Sequence, residues 1–239
     1  MQYNQFTMKT LLTICIVLAA TALLLSANKF LPNIGVRLHQ NEYFNGILKY
    51  QFFAVLIAAV AILITLKWTP QSRELLRFGN INTLASKEMW LGINGRTSWK
   101  TNALQLAVFI SLATATFMYL AVKQTNSLTN FKISFIPVIL LISLTNSFAE
   151  EAIYRFAVNG NLMPHTLKWI ILVASAILFE LPHYMGYPNG VVGVLMAATL
   201  GYILSKATYE TKGIGIAWSI HFVQDVIIFT ALSMINIKL

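Results

Sequence analysis

Apolar stretches long enough to cross a bilayer follow one another along the chain, at about residues 10–28, 46–66, 102–122, 135–158, 167–187, 190–206 and 213–236. No other feature narrows the fold so far. In hydrocarbon every backbone N–H and C=O must find its partner inside the protein, so an isolated apolar span is a helix. The alternation expected of a β-barrel strand is missing. Composition agrees, with 57% hydrophobic and only 10% charged residues, against about 25% charged in a soluble domain. The expectation is an all-α, polytopic membrane helix bundle of about seven transmembrane helices, with residues 1–239 forming a single integral membrane domain. The first run follows Lys9 and could be taken for a signal peptide. Its exit near Ala27 lacks a small-x-small cleavage pattern, so a retained first helix is expected.

The net charge of +9 does not imply nucleic acid here, and no nucleic-acid partner is expected. Lys and Arg flank the apolar runs, where they anchor helices at the lipid surface and set orientation. With the N-terminus inside, Lys9, Lys67, Arg73, Arg77, Lys87, Arg96, Lys100, Arg155, Lys168, Lys206 and Lys212 fall on the inner side, eleven of the seventeen cations. Lys29, Arg37, Lys49, Lys123, Lys132 and Lys238 fall outside. The expectation is a multi-pass protein of a bacterial cell membrane with a cytoplasmic N-terminus, in contact with membrane lipid. The longest polar stretch, Lys67 to Lys100, reads as a connector on that inner side. Gly79-Asn80 and Asn94-Gly95 are turn signals in it. Leu75, Leu76 and Phe78, then Met89, Trp90 and Leu91, suggest short interfacial segments. Cys15 is the single cysteine, which leaves no disulfide within the chain and no cysteine metal site.

Against this background the acidic residues carry the information. There are eight, and Glu150, Glu151, Glu180 and Asp225 lie in or against apolar runs. A charge near a helix centre costs about 2.5–3.5 kcal/mol on insertion scales. Four of them would cost on the order of 10 kcal/mol before any pairing, so an intramembrane site is the default reading. Glu151 and Arg155 are four apart and share a helix face, where they can pair. Glu150 sits about 100° further round and is left freer to face a site. His221 and Asp225 are likewise four apart. Phe179 and His183 share a face if the helix runs that far, although Pro182 removes a backbone donor there. At 1.5 Å per residue, Glu150, His183 and His221 lie roughly 15, 24 and 12 Å from the inner surface, depths at which they can meet. Taken singly, each pair has a plain structural reading: an ion pair, a helix cap, a packing hydrogen bond. Together, on three spans at compatible depth, they point to one site. Glu180 points away from His183 on a helix and reads as structural, and His39 and His165 fall in loops.

The ordered set E-E-x-x-x-R (Glu150, Glu151, Arg155), F-x-x-x-H (Phe179, His183) and H-x-x-x-N/D (His221, Asp225) resembles the CPBP family of intramembrane proteases. That family includes the CAAX prenyl proteases and the bacteriocin-processing and immunity proteins. The resemblance covers about residues 135–236, and the earlier spans match only as generic apolar helices. Tyr154-Arg155-Phe156 stands where many members have Phe-Arg-Gly, Glu180 is unusual in its segment, and Asp225 replaces the Asn of the prenyl proteases. An Asn donates to an oxyanion directly and an Asp only when protonated, so Asp225 could instead orient His221.

The resemblance implies an intramembrane endopeptidase whose catalytic residues are Glu150, Glu151, Arg155, His183, His221 and Asp225. Glu150 with His183 would activate a water, and His221 with Asp225 would stabilise the oxyanion. The substrate would be a peptide precursor or a membrane-associated protein. The family is commonly called metal-dependent, and Glu150, His183 and His221 could hold zinc or another divalent ion. A metal-free glutamate mechanism explains the same residues and is favoured, so no cofactor is expected. Two other classes compete: a non-catalytic bacteriocin-immunity or scaffold protein with the same fold, and a small proton-coupled transporter. The intact residue set speaks against the first, and the lack of an inverted repeat against the second.

Overall fold

A computed structural model describes residues 2–185 and 190–235. Those residues form eight α-helices: α1 (Gln2–Phe30), α2 (Glu42–Trp68), α3 (Trp99–Gln124), α4 (Ile136–Glu151), α5 (Ala157–Leu162), α6 (Lys168–Glu180), α7 (Gly190–Thr211) and α8 (Gly215–Ile235). α4 runs into α5 through one π-helical turn, Ala152–Phe156. Helix ends follow local chemistry. Asn41 Oδ1 accepts the Phe44 N–H at 3.2 Å and caps α2, Pro70 follows its last turn, and a proline opens α4.

Among the described residues, six helices are long and apolar enough to span a membrane, α4 and α5 counting as one. The protein is an all-helical, multi-pass membrane bundle, close to the seven spans expected. The difference lies in the run at 167–187. Its helix α6 has 13 residues, about 20 Å, against the ~30 Å of a bilayer core. Pro182 cannot continue the backbone ladder, and Leu181–Met185 turn as a 3₁₀ helix instead. The tail of that run at 186–187, residue 236 of the last run and Lys238 lie outside the described residues.

α8 packs between α3 and α4, α4 also meets α2, and α6 lies along α7. One apolar core joins Val17 of α1, Ala58 of α2, Ile153 and Ala157 after the glutamates, and Phe179 of α6. A second joins Phe44, Met118, Ile142 and Leu232 towards the opposite end.

The connector gathers the charged ends. Thr69 Oγ1 accepts from Lys9 Nζ at 3.3 Å and meets Asn161 Oδ1 at 3.0 Å. The connector backbone pairs with the α7–α8 turn through Asn80 N to Thr211 O at 2.8 Å, Ile214 N to Leu75 O at 2.9 Å and Gly215 N to Arg77 O at 3.2 Å. A Cβ on Gly213 would stand 2.5 Å from Arg77 O, and one on Gly215 would stand 2.4 Å from Phe78 Cα. Only glycine allows that approach. Pro70–Leu75 and Met89–Leu91 form short 3₁₀ turns in the connector, the second on the Met89, Trp90 and Leu91 segment. The start of α1, the end of α5, the start of α6 and the α7–α8 turn therefore share one end of the bundle, with Lys9, Arg77, Lys168 and Lys206 among its cations.

Candidate active site

Three helices deliver the deep ionisable groups to one place. α4 supplies Glu150 and Glu151 at its last two positions, and α8 supplies His221 and Asp225 one turn apart. Immediately after Glu151 the backbone widens: Ala157 N–H bonds to Ala152 O, five residues back. Such a π turn inserts an extra residue per turn and commonly marks functional sites. Neighbouring side chains take up its carbonyls. Ser175 Oγ donates to Tyr154 O at 2.8 Å and Asn159 Nδ2 to Arg155 O at 3.1 Å.

His221 is the hub. Its Nδ1–H donates to Glu151 Oε1 at 2.8 Å. Its Nε2 stands 3.5 Å from Glu150 Oε2 and 3.7 Å from Asp225 Oδ1. Glu151 and Arg155 are wholly buried and paired, Arg155 Nε lying 3.4 Å from Glu151 Oε2. The Arg155 guanidinium also lies 4.0 Å above the Phe179 ring, a cation–π contact strengthened by exclusion of water. Asp225 is buried, while the Glu150 side chain keeps 20% of its surface exposed. Glu150 is thus the most accessible carboxylate of the three.

Phe179 ties the third helix in. Its ring centroid is 4.5 Å from that of His183 and 5.7 Å from that of His221. Both imidazoles and the Arg155 guanidinium therefore surround one phenyl ring. His183 sits in the 3₁₀ turn after α6, with Nδ1 2.7 Å from Phe179 O. A carbonyl can only accept, so Nδ1 carries the proton and Nε2 is left for proton transfer. Room for Phe179 comes from Gly201 of α7, where a Cβ would lie 3.2 Å from the ring.

The expected residues thus fall into a connected group of Glu150, Glu151, Arg155, His221 and Asp225, with His183 reaching it across Phe179. The pairing differs from a purely local reading in one respect. Glu151 is more than the partner of Arg155, because it also takes the shortest hydrogen bond to His221. Glu180 ends α6 half-buried, and among the described residues no bond links it to the group. His39 sits in a loop, where its Nδ1 accepts from Asn41 N at 3.0 Å. His165 lies exposed in the turn after α5.

Two uncharged residues join that the motif spacing did not single out. Asn146, one turn before Glu150, donates from Nδ2 to Glu150 Oε1 at 3.0 Å and to Asp225 Oδ2 at 3.1 Å. Gln51 of α2 donates to Asn146 Oδ1 at 3.0 Å. The available signal was a polar amide inside an apolar run, four residues ahead of a buried acid.

Among the described residues, no group of three or more His, Cys, Asp or Glu side chains is arranged to hold a metal ion. Of the two His221 nitrogens, Nδ1 is taken up by Glu151 Oε1 at 2.8 Å, and Nε2 stands 3.5 Å from Glu150 Oε2. The set Glu150, His183 and His221 is not gathered into such a group among the described residues.

These features define a class: a multi-pass helical membrane protein with a buried carboxylate–histidine site at the junction of α4, α6 and α8. Residues 132–227, which carry every member of that site except Gln51, match the family described as type II CAAX prenyl endopeptidase Rce1-like. The similarity over that stretch is consistent with the CPBP family, and it points to a protease in general. Neither a curated protein nor a solved structure matches the chain significantly.

Proposed function

We propose that this protein is an intramembrane endopeptidase of the CAAX-protease type, using a glutamate-activated water to cleave a peptide precursor or a membrane-associated protein. One observation carries the reading above all. Glu150 Oε2 is itself shielded from solvent and, among the described residues, has no hydrogen-bond partner, yet it lies 3.5 Å from His221 Nε2. A carboxylate oxygen held in this way is suited to take a proton from water.

In this reading Glu150 is the general base. It removes a proton from the water as the oxygen bonds to the peptide carbonyl carbon. The carbonyl oxygen becomes an oxyanion, which His221 stabilises as a donor supported by Glu151 and Asp225. The C–N bond then breaks, and the leaving nitrogen takes the proton from Glu150 or through His183 Nε2. Arg155 balances Glu151 and keeps it fixed against His221 Nδ1. No step passes through a metal ion. The cationic end of the bundle faces the cytoplasm of a bacterial cell, by the charge bias of its connector.

The test uses the full chain, purified and reconstituted in nanodiscs. Quenched-fluorescence peptides ending in a prenylated cysteine motif are compared with an unmodified hydrophobic single-span peptide, and products are identified by mass spectrometry. Glu150→Gln is expected to lower cleavage about 10²–10⁴-fold while the melting temperature stays close to that of the parent. A Glu150→Gln protein that cleaves at the parent rate would remove Glu150 from the mechanism.

A further inference from the structure

We propose that Asn146 is a positioning residue of this site, whose amide fixes which oxygen of Glu150 and which oxygen of Asp225 faces His221; the proposal rests on the endopeptidase reading above. The two amide hydrogens are divided, one to Glu150 Oε1 at 3.0 Å and one to Asp225 Oδ2 at 3.1 Å. The remaining oxygens, Glu150 Oε2 and Asp225 Oδ1, are the two that face His221 Nε2, at 3.5 and 3.7 Å. Asn146, Glu150, His221 and Asp225 thus close a ring in which each carboxylate turns one oxygen to the amide and the other to the imidazole.

The two carboxylate acceptors set the orientation of the amide. Gln51 Nε2 donates to Asn146 Oδ1 at 3.0 Å. A flipped amide would aim its oxygen at two acceptors and its NH₂ at another NH₂. Hydrogen bonds to ionised acceptors are the stronger kind, and here one side chain makes two. They also offset the repulsion of two carboxylates held around one histidine. Because Gln51 lies on α2, Asn146 on α4 and Asp225 on α8, the same amide ties three helices at the level of the site. Supporting partners of this type hold reacting groups in a productive geometry.

The experiment has two readouts on the full chain in nanodiscs. The first is infrared difference spectroscopy, with the carboxylate bands of Glu150 and Asp225 assigned from Glu150→Gln and Asp225→Asn. Asn146→Ala is expected to shift both bands. Should that variant fail to fold, Asn146→Ser, which keeps a single donor, is expected to shift at least one. The second is kinetics on whichever peptide the parent cleaves. Asn146→Ala is expected to lower kcat at least tenfold with KM within a factor of two. Asn146→Asp should lose more, since it sets a third carboxylate against the pair. The double variant Asn146→Asp/Asp225→Asn returns one amide and two carboxylates to the ring and is expected to recover at least tenfold over Asn146→Asp. Unmoved bands, or a double variant no better than Asn146→Asp, would overturn the proposal. A parent that cleaves nothing would sink the endopeptidase reading alone, with the infrared bands still deciding the role of Asn146.

Discussion

Two clusters of buried charge can be compared within this molecule. At the connector end, Glu210 Oε1 accepts from Ser86 Oγ at 2.5 Å, from Lys206 Nζ at 2.8 Å and from Lys168 Nζ. Glu210 Oε2 accepts from Ser86 N at 3.0 Å and from Trp99 Nε1 at 2.8 Å. Lys206 is fully buried, and besides Glu210 it meets Ser86 Oγ at 2.6 Å and Glu88 Oε2 at 3.6 Å. Glu88 is held in turn by Trp90 Nε1 and the Tyr202 hydroxyl. In the middle of the bundle the pattern is different. Among the described residues, Glu150 Oε2, Glu151 Oε2 and all three guanidinium nitrogens of Arg155 are buried without a hydrogen-bond partner. A cluster whose polar atoms are all matched fastens one element to another, here the connector onto α6 and α7. A cluster that carries unmatched atoms at a cost in stability has to be explained by something other than stability. The second cluster is therefore where chemistry is expected and the first is a clamp.

The largest effect should come from breaking the central ion pair. Glu151→Gln leaves Arg155 buried without a counter-charge and removes the partner of His221 Nδ1. Losing one member of a buried pair costs about 3–5 kcal/mol, so thermal melting in detergent should fall well below that of the parent, with cleavage lost as well. Glu150→Gln should lose cleavage alone. Equal thermal loss in the two variants would erase the division of labour between the adjacent glutamates.

Breaking the clamp should give the reverse pattern. Lys206→Met removes one ammonium from Glu210, but Lys168, Ser86 and Trp99 still face that carboxylate. The expected cost is about 3 kcal/mol or less, at the low edge for a buried pair. Cleavage per folded molecule should remain within about twofold of the parent, because among the described residues no hydrogen bond or ion pair links the clamp to the central cluster. A fall in kcat without a fall in melting temperature would show that the clamp takes part in the reaction, and the contrast between the two clusters would fail.

The same contrast explains what could be read from the chain before its structure. Apolar runs report spans directly, because the bilayer leaves helix as the only backbone solution for an isolated one. Pro182 was legible as a missing donor, but the run at 167–187 still read as a full span, and the early end of its helix did not show in the apolar pattern. Within the central cluster, contacts made along one helix were accessible: Glu151 with Arg155, and His221 with Asp225, at four-residue spacing. Contacts made across helices were not. The hydrogen bond from His221 to Glu151 depends on how α8 is rotated against α4, and no periodicity encodes that rotation. The π turn had no local signal, since Ala152 to Phe156 would serve equally well in an α-helix. Asn146 was visible but uncharged, and its value arises only when α8 brings Asp225 beside it. The clamp was hidden for a similar reason. Ser86 lies more than a hundred positions from Lys206 and Glu210, so the connector read as a plain linking segment.

The smallest expected effect is the response to chelation, and it concerns how the central cluster resolves its unmatched atoms. Glu150, Glu151 and Asp225 outnumber Arg155 and His221 in formal charge, and a divalent cation is one way to redress that. Water and the peptide carbonyl, moving protons through Glu150 and His183, are another. A zinc site would need His221 to present a lone pair, and it would bind its ion tightly enough to stabilise the fold. Here His221 Nδ1 is taken up by Glu151 Oε1 at 2.8 Å, and Nε2 faces Glu150 Oε2 at 3.5 Å, the oxygen that the proposed mechanism uses as its base. Treatment of active protein with a chelator, followed by metal analysis and zinc add-back, is therefore expected to leave the cleavage rate within about twofold and to find no stoichiometric metal. One zinc per chain, with activity and melting temperature both lost on chelation and restored by zinc, would mean that His221 exchanges its carboxylate contacts for a metal. The assignment as a protease would survive that result. The reading of Glu150 Oε2 as an unaided base would not.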